Sequence, residues 1–231
     1  MIGDNLHSVR ARIAAACLAA GRDTGEVTLL AVSKTFGPET VREAFASGQT
    51  AFGENYLQEA LDKITALHDL SLQWHCIGPI QSNKTRLVAE HFDWAHTIDR
   101  LKIAQRLSEQ RPAVLAPLQV CIQVNIDGSA SKSGVTPQEA MALVREVAKL
   151  PHLQLRGLMT IPEPAPDFAA QTVLHGKARA LFDKVAAAGV PGLDHFDTLS
   201  MGMTADLEAA IHAGSTLVRV GTAIFGGRTR P

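Results

Sequence analysis

The first apolar pattern in the chain is helical. From Leu6 to Ala20, apolar side chains recur every three or four residues, and charged side chains fall between them. This periodicity predicts an amphipathic helix over residues 4–20 with one buried face. The next apolar segment, Thr28–Val32, is a continuous run without alternation. Such a run is typical of a strand that is covered on both faces, as in a parallel sheet.

A short apolar strand, a turn and an amphipathic helix then recur along the whole chain. Eight strands are predicted, at Thr28–Val32, Thr50–Phe52, Leu72–Ile77, Trp94–Ile98, Leu118–Ile126, Leu153–Ile161, Asp197–Leu199 and Leu217–Val220. The alternation predicts an α/β fold, a (β/α)8 TIM barrel with an extra N-terminal helix. An open, doubly wound sheet is the alternative, but the first strand is not followed by the GxGxxG motif of a dinucleotide fold.

Composition excludes several classes of protein. Hydrophobic residues make up 46% of the 231, enough to bury a substantial core, so the chain is not a disordered protein. Its 22 Lys and Arg against 23 Asp and Glu give a net charge of −1, without the basic excess typical of nucleic-acid binding. No apolar run approaches the length needed to cross a bilayer, so we expect no membrane insertion.

The three cysteines are far apart and form no CxxC motif, which argues against a disulfide framework or a structural zinc site. The same usage favours a reducing, cytoplasmic location. Cys76 and Cys121 lie within predicted strands, where we expect inert core thiols, and His75 is expected as a core histidine. No linker rich in Gly, Pro or Ser divides the chain, so we expect one domain over residues 1–231. The histidines form no HExxH motif, so we expect no bound metal.

Lys34 is the most informative polar residue, because it follows the first strand almost directly. In a (β/α)8 barrel, functional groups gather at the carboxyl ends of the strands. Partial desolvation there lowers the pKa of a lysine, and a neutral amine can attack an aldehyde to form a Schiff base. By position alone, a surface lysine just past a strand fits equally well.

The seventh and eighth strands are followed by turns suited to a phosphate group. Such a site in a barrel is commonly built from these two loops. Ser200 and Thr222 offer hydroxyls there, and Gly221 lets backbone N–H groups approach. Thr204 and Asp206 are predicted to be an ordinary helix cap and first-turn acid. A Schiff-base lysine and a phosphate cradle at one barrel mouth fit pyridoxal 5′-phosphate (PLP).

Eight motifs follow in order along the chain: Val32-Ser-Lys-Thr35, Phe52-Gly-Glu-Asn-Tyr56, Trp74-His-Cys-Ile-Gly-Pro79 with Gln81-Ser-Asn-Lys84, Gln123-Val-Asn125, Lys132-Ser-Gly134, Arg156-Gly-Leu-Met159, Leu199-Ser-Met-Gly-Met203 and Arg219-Val-Gly-Thr-Ala-Ile-Phe-Gly226. Together they resemble the pyridoxal phosphate homeostasis protein family. The resemblance extends from the first strand onward. It implies the fold type III PLP barrel, which that family shares with the N-terminal domain of alanine racemase.

The resemblance also implies roles for individual residues. Lys34 would carry PLP as a Schiff base, and Asn55 would lie beside the cofactor. Arg219 is similar to the arginine that faces the pyridine nitrogen in this fold. The cofactor-binding residues predicted in this way are Lys34, Asn55, Ser200, Gly202, Arg219, Gly221 and Thr222.

Arg219 bears on the chemistry that such a cofactor could support. A guanidinium stays charged and cannot accept a proton, so it leaves the pyridine nitrogen unprotonated and the ring a weak electron sink. This disfavours transamination. A purely structural role for Arg219, as an anchor for the phosphate or for a nearby carboxylate, is the alternative.

A racemase needs two acid/base groups on opposite faces of the substrate. In alanine racemase one is the lysine, and the other is a tyrosine from a second domain of the partner subunit. This chain ends nine residues after Thr222, so we expect no such domain. Its single tyrosine, Tyr56, is predicted to pack at a helix start.

The sequence therefore favours a binder of PLP over a catalyst, and the resemblance implies a role in vitamin B6 homeostasis without an established catalytic activity. We expect a monomer whose possible partners are PLP-dependent apoenzymes. The first alternative is an amino-acid racemase that uses PLP on Lys34 with Tyr56 or a water. The second is a sugar- or triose-phosphate enzyme that uses Glu54 or Asp99 and no PLP.

Overall fold

Within residues 1–227, which the computed structural model of the protein describes, eight parallel strands close into a barrel. Each strand pairs with its neighbours in sequence, and β8 pairs with β1 to close the sheet. The strands are β1 (Thr28–Val32), β2 (Ala51–Glu54), β3 (Gln73–Cys76), β4 (Trp94–Ile98), β5 (Leu118–Gln123), β6 (Leu153–Met159), β7 (Thr198–Ser200) and β8 (Leu217–Val220).

Helices follow the strands and surround the barrel. They are α1 (Ile2–Ala19), α2 (Pro38–Ala46), α3 (Leu57–Ala66), α4 (Thr85–His91), α5 (Leu101–Gln110), α6 (Pro137–Val147), α7 (Phe168–Ala186), α8 (Leu207–His212) and α9 (Thr222–Phe225). The predicted N-terminal helix is confirmed as α1, which precedes β1 and packs against α2, α8 and α9. Two short 3-10 turns, Thr24–Glu26 and Ser82–Lys84, lie between the described elements.

Both faces of the strands are buried, which explains the continuous apolar runs in the sequence. In β1, Ala31 belongs to the large core between barrel and helices, whereas Leu30 and Val32 point into the barrel. Ala51 and Leu217 pack with them inside. Successive residues of a strand point to opposite faces, so Leu30, Ala31 and Val32 reach the two cores in turn and all three are apolar.

The predicted closed barrel is confirmed, and the open sheet is wrong. The strand limits differ from the prediction mainly at the carboxyl ends. The fifth strand was predicted to reach Ile126 but ends at Gln123, because Val124 forms an isolated bridge with Val135 in the following loop. The apolar run continues beyond the ladder because Val124 and Ile126 are buried in the large core.

Two features are absent from the described residues 1–227. None of their helices combines the length and the apolar character needed to span a membrane. Nor do these residues include a group of three or more His, Cys, Asp or Glu side chains that could hold a metal ion.

The close approach of β6 and β7 can be tested at Gly157. A Cβ added there would overlap the backbone of Thr198, which belongs to the paired strand. We therefore expect Gly157→Ala to lower the free energy of unfolding by about 1–3 kcal/mol or more in urea titrations.

Gly176 provides the matched control, since it lies in α7 with open space around its Cα. The same substitution at this helical position should raise stability by about 0.5–1 kcal/mol. Equal effects of the two substitutions would contradict the strand packing described here.

Candidate functional site

Most of the predicted cofactor residues lie along one arc of the barrel mouth. Lys34 comes two residues after β1, and Asn55 directly follows β2. Ser200 is the last residue of β7, and Gly221 with Thr222 directly follows β8. Because the barrel is closed, β7, β8, β1 and β2 are consecutive neighbours. The closure therefore places residues 34, 55, 200, 221 and 222 beside one another.

The backbone around Lys34 has an unusual conformation. Lys34 is half-buried between a buried Ser33 and an exposed Thr35. Thr35 has a φ of 69°, in the left-handed region. A β-branched residue rarely adopts this conformation, and such strain persists only where surrounding contacts enforce it. The loop that presents the lysine is thus held in a specific shape.

The turns after β7 and β8 approach their neighbours closely. Gly202 has a φ of 96°, and a Cβ at this position would lie 2.5 Å from that of Ala210. At Gly221 a Cβ would lie 3.2 Å from the carbonyl oxygen of Val32, at the end of β1. These glycines let the two turns pack against α8 and against the strand that leads to Lys34.

These two turns also contact each other and expose backbone donors. The hydroxyl of Thr222 donates to the hydroxyl of Thr204 at 3.5 Å. Gly221 precedes the helical turn α9, and its carbonyl accepts from Ile224 and Phe225. The first N–H groups of a helical turn have no acceptor within it and are suited to an anion. The surface between the two turns is therefore suited to a phosphate group.

The hydroxyl of Ser200 is hydrogen-bonded to two buried side chains of the barrel. Ser200 is fully buried, and its Oγ accepts a hydrogen bond from Arg219 Nη1 at 2.7 Å. The same Oγ lies 2.9 Å from His96 Nδ1. A role of Ser200 in phosphate binding stays a prediction, and any such contact involves a residue whose hydroxyl already has two partners in the barrel.

Arg219 is a buried cation at the centre of this arrangement. Besides Ser200, its guanidinium donates from Nη2 to the carbonyl oxygen of Thr160 at 2.8 Å. Both acceptors are neutral. Burial lowers the pKa of Arg219 to about 10, which leaves the side chain charged at neutral pH. The guanidinium therefore acts only as a hydrogen-bond donor.

A chain of hydrogen bonds runs from Arg219 through the barrel interior. His96 Nε2 lies 2.8 Å from His75 Nδ1, and His75 Nε2 lies 2.9 Å from Gln73 Oε1. Because Arg219 can only donate and Gln73 Oε1 can only accept, every bond must point the same way. Ser200 donates to His96 Nδ1, and each histidine carries its proton on Nε2.

Burial keeps His75 and His96 neutral, as the direction of these hydrogen bonds requires. It lowers the pKa of His75 to about 3. Burial also holds the pKa of His96 well below its ordinary value, with smaller contributions from His75 and from the Arg219 charge. The expectation of a core histidine at His75 is confirmed, and burial likewise raises the pKa values of Cys76 and Cys121 to about 12. Both thiols are buried, as expected of core residues.

Two further expectations need correction. Thr204, expected as the helix cap, lies outside α8, and Asp206, expected in the first turn, takes the N-cap position without a side-chain capping bond. Its carboxylate instead accepts from the Met203 N–H at 2.7 Å and pairs with the buried His175 Nε2 at 2.8 Å, which fixes the turn after β7. Tyr56, expected to pack at a helix start, does precede α3 but is 51% exposed.

Asn55, directly after β2, carries one of several unpaired buried polar atoms in the described part of the chain. Its Oδ1 is buried and has no hydrogen-bond partner among the described residues. Buried polar atoms are nearly always paired with protein or with an ordered molecule. A donor from a bound group at the barrel mouth would satisfy this oxygen.

Sequence reasoning missed several residues of the site. His96 carries the hydrogen-bond chain, and Lys63 of α3 lies in a buried cluster below Lys34. The signal for His96 was available, because it stands two residues after Trp94 in a buried strand and therefore shares its face. Lys63 gave no such signal, since a lysine in an amphipathic helix is ordinarily solvated.

Comparison with known proteins gives one consistent result. Residues 5–229 match the family described as alanine racemase, N-terminal domain. The chain is 58% identical to the pyridoxal phosphate homeostasis protein of Pseudomonas aeruginosa, over 98% of this chain and 96% of that protein. It is 54% identical to the Escherichia coli protein of the same name, over 98% and 97%. The solved structure of PipY from Synechococcus elongatus with PLP bound has a TM-score of 0.85 at 35% identity, over 98% and 100%.

The neutral histidine pair predicts a specific pH dependence of stability. An unfolded histidine takes up a proton below about pH 6.5. Folded His75 resists protonation until about pH 3, so acidification between these values favours the unfolded chain. We expect His75→Gln to reduce the slope of unfolding free energy against pH by about 1.4 kcal/mol per pH unit, measured by urea titration between pH 6 and 4.

His68→Gln is the control, because His68 is exposed. It should leave the slope at its wild-type value. An unchanged slope in His75→Gln would show that the folded protein already accepts a proton at this pair.

Proposed function

Because the chain belongs to the family of the alanine racemase N-terminal domain, together with the pyridoxal phosphate homeostasis proteins, we propose that it binds PLP covalently at Lys34. The observation that carries this proposal is the placement of Lys34 beside two glycine turns suited to a phosphate. The PLP-bound relative PipY supports the identity of the cofactor.

The residues at the mouth match the chemical groups of PLP. The N–H groups of the turn at Gly221 and Thr222, with the Thr222 hydroxyl, would hold the phosphate dianion. Gly202 would keep the opposite turn close, and Ser200 would support it from inside the barrel. The unpartnered Oδ1 of Asn55 would accept a hydrogen bond from the bound group.

Lys34 supplies the covalent attachment. When bound, PLP would supply an aldehyde, with which the Lys34 amine would condense with loss of one water. Lys34 is half-buried, two residues after the end of β1. The fixed loop conformation at Thr35 would hold the amine toward the mouth.

Arg219 would face the pyridine nitrogen and limit the chemistry. Its guanidinium is held by two neutral acceptors and stays charged at neutral pH. A guanidinium has N–H donors only. A ring nitrogen that accepts a hydrogen bond from a guanidinium stays unprotonated, so the ring withdraws electrons weakly. This environment suits the holding of PLP better than transamination.

The proposed role is therefore in vitamin B6 homeostasis inside the cell, with PLP kept on the protein for exchange, and with PLP-dependent apoenzymes as the partner class. The names of the relatives support this role. The exposure of Tyr56 supports a non-catalytic interpretation, because an acid/base tyrosine needs a fixed position over the substrate.

The covalent attachment has a direct test. Protein incubated with PLP and reduced with borohydride should carry the pyridoxyl mass on the peptide that contains Lys34, and Lys34→Ala should lose this modification. Lys177→Ala is the matched control, since Lys177 is an exposed lysine of α7. Labelling of other lysines alone would contradict the proposal.

The racemase alternative predicts a different result with the loaded protein. Amino acids incubated in deuterium oxide with a racemase exchange their α-proton, and this exchange would disappear in Lys34→Ala. We expect exchange no faster than with free PLP. Faster exchange that depends on both Lys34 and Tyr56 would favour a racemase over a homeostasis protein.

A further inference from the structure

A buried ammonium lies directly behind the loop that carries Lys34. Lys63, in α3, is only 2% exposed. Its Nζ donates to the carbonyl oxygen of Ser33 at 2.7 Å, to Glu54 Oε1 at 2.7 Å and to Glu59 Oε1 at 2.8 Å. An ammonium has three N–H donors, so these acceptors use all of them.

Both chain neighbours of Lys34 are tied to this ammonium. On one side, Ser33 offers its carbonyl to Lys63, and its hydroxyl donates to Glu54 Oε1 at 2.5 Å. On the other side, the Thr35 N–H donates to Glu59 Oε1, the same oxygen that Lys63 holds. We call Ser33, Thr35, Glu54, Glu59 and Lys63 the Lys63 cluster.

The cluster accounts for the left-handed conformation of Thr35. Such a backbone conformation costs free energy in a β-branched residue, so the bond from Thr35 to Glu59 must enforce it. Glu59 is in turn fixed by Lys63 within the same helix. The direction in which Lys34 leaves the backbone therefore depends on a side chain that lies far from it in sequence.

The need for tight packing does not by itself explain the buried charges of the Lys63 cluster. A buried ammonium and a buried carboxylate both lose hydration, and a pair of apolar residues in their place is often as stable. Burial also raises the pKa of Glu54, against the opposing effect of Lys63. A charged group retained here is explained by its hydrogen bonds to the Lys34 loop.

We propose that Lys63 is a positioning residue for Lys34: through the Ser33 carbonyl and through Glu59 it fixes the loop on both sides of the reactive lysine. This inference rests on the proposed function of Lys34 as the PLP-bearing residue. Lys63 does not contact the cofactor, and its effect passes through the backbone. The proposal predicts that removal of Lys63 changes the PLP affinity and the labelling rate of Lys34 even where the stability of the protein is unchanged.

The decisive variant is Lys63→Met combined with Glu54→Gln. Lys63→Met alone would leave a buried carboxylate without its cation and risks unfolding, whereas the double variant removes both charges. Glu59→Ala is a second variant, which removes the acceptor of the Thr35 N–H and leaves the Lys63–Glu54 pair intact. Lys149→Met is the control, since Lys149 forms an exposed pair with Glu146.

Two readouts separate positioning from stability. The first is the dissociation constant for PLP, which we expect to rise about tenfold in the double variant and in Glu59→Ala. The second needs no cofactor: an amine-acylating reagent is applied to PLP-free protein, and mass spectrometry compares the labelling rates of Lys34 and the exposed Lys177. This ratio should change in both variants and stay constant in Lys149→Met, at unchanged midpoints of urea unfolding.

The possible outcomes test the role of Lys63 separately from the proposed binding of PLP at Lys34. Variants that fold stably with wild-type PLP affinity and labelling ratio would overturn the role of Lys63 and leave PLP binding at Lys34 intact. Wild-type protein that fails to bind PLP would overturn the proposed function, and the labelling ratio would then decide the positioning role by itself. A loss of stability without a change in the ratio would also overturn positioning.

Discussion

The buried charge of Arg219 is the constraint on which the arrangement of the barrel depends. A cation inside a barrel is tolerated only if acceptors surround it, because desolvation otherwise makes it very costly. Ser200 and the Thr160 carbonyl meet this need, and both lie at the ends of neighbouring strands. His96 then orients Ser200, so the histidine pair, the serine and the guanidinium form one unit with a single direction of hydrogen bonding.

A second buried charge organises the other end of the site. Lys63 lies between barrel and helix layer and holds the loop after β1, whereas Arg219 lies inside the barrel under the turns after β7 and β8. The predicted cofactor site lies between these two cations at the mouth. Lys63 and Arg219 each donate hydrogen bonds to protein acceptors. Each can therefore fix the geometry of the site without pairing with the phosphate of a ligand.

The sequence was informative where a predicted site residue lies within two residues of the end of a strand. The continuous apolar run before Lys34 predicts both a buried strand and a polar residue at its carboxyl end, and the same holds for Asn55 and Thr222. The fold follows because eight such runs alternate with amphipathic helices. These features are local, and local patterns are what a sequence displays.

The remaining features depend on tertiary contacts. The direction of the Ser200 hydroxyl follows from strand register, and a shift by one residue would turn it toward the opposite face. Lys63 looks like any solvated helix lysine until α3 packs on β2 and encloses it beside Glu54. Asp206 fits a first-turn acid in sequence, yet it precedes α8 and pairs with His175 of α7, 31 residues away in the chain. Pairing across the fold cannot be inferred from spacing along the chain.

The most direct measurement of the central claim is a crystal structure of the protein grown with PLP. The account predicts continuous density from Lys34 Nζ to the cofactor, the phosphate between the turns at Gly202 and Gly221, and the guanidinium of Arg219 against the ring nitrogen. PLP bound elsewhere on the protein, or density that ends at an unmodified Lys34 beside an empty mouth, would contradict it.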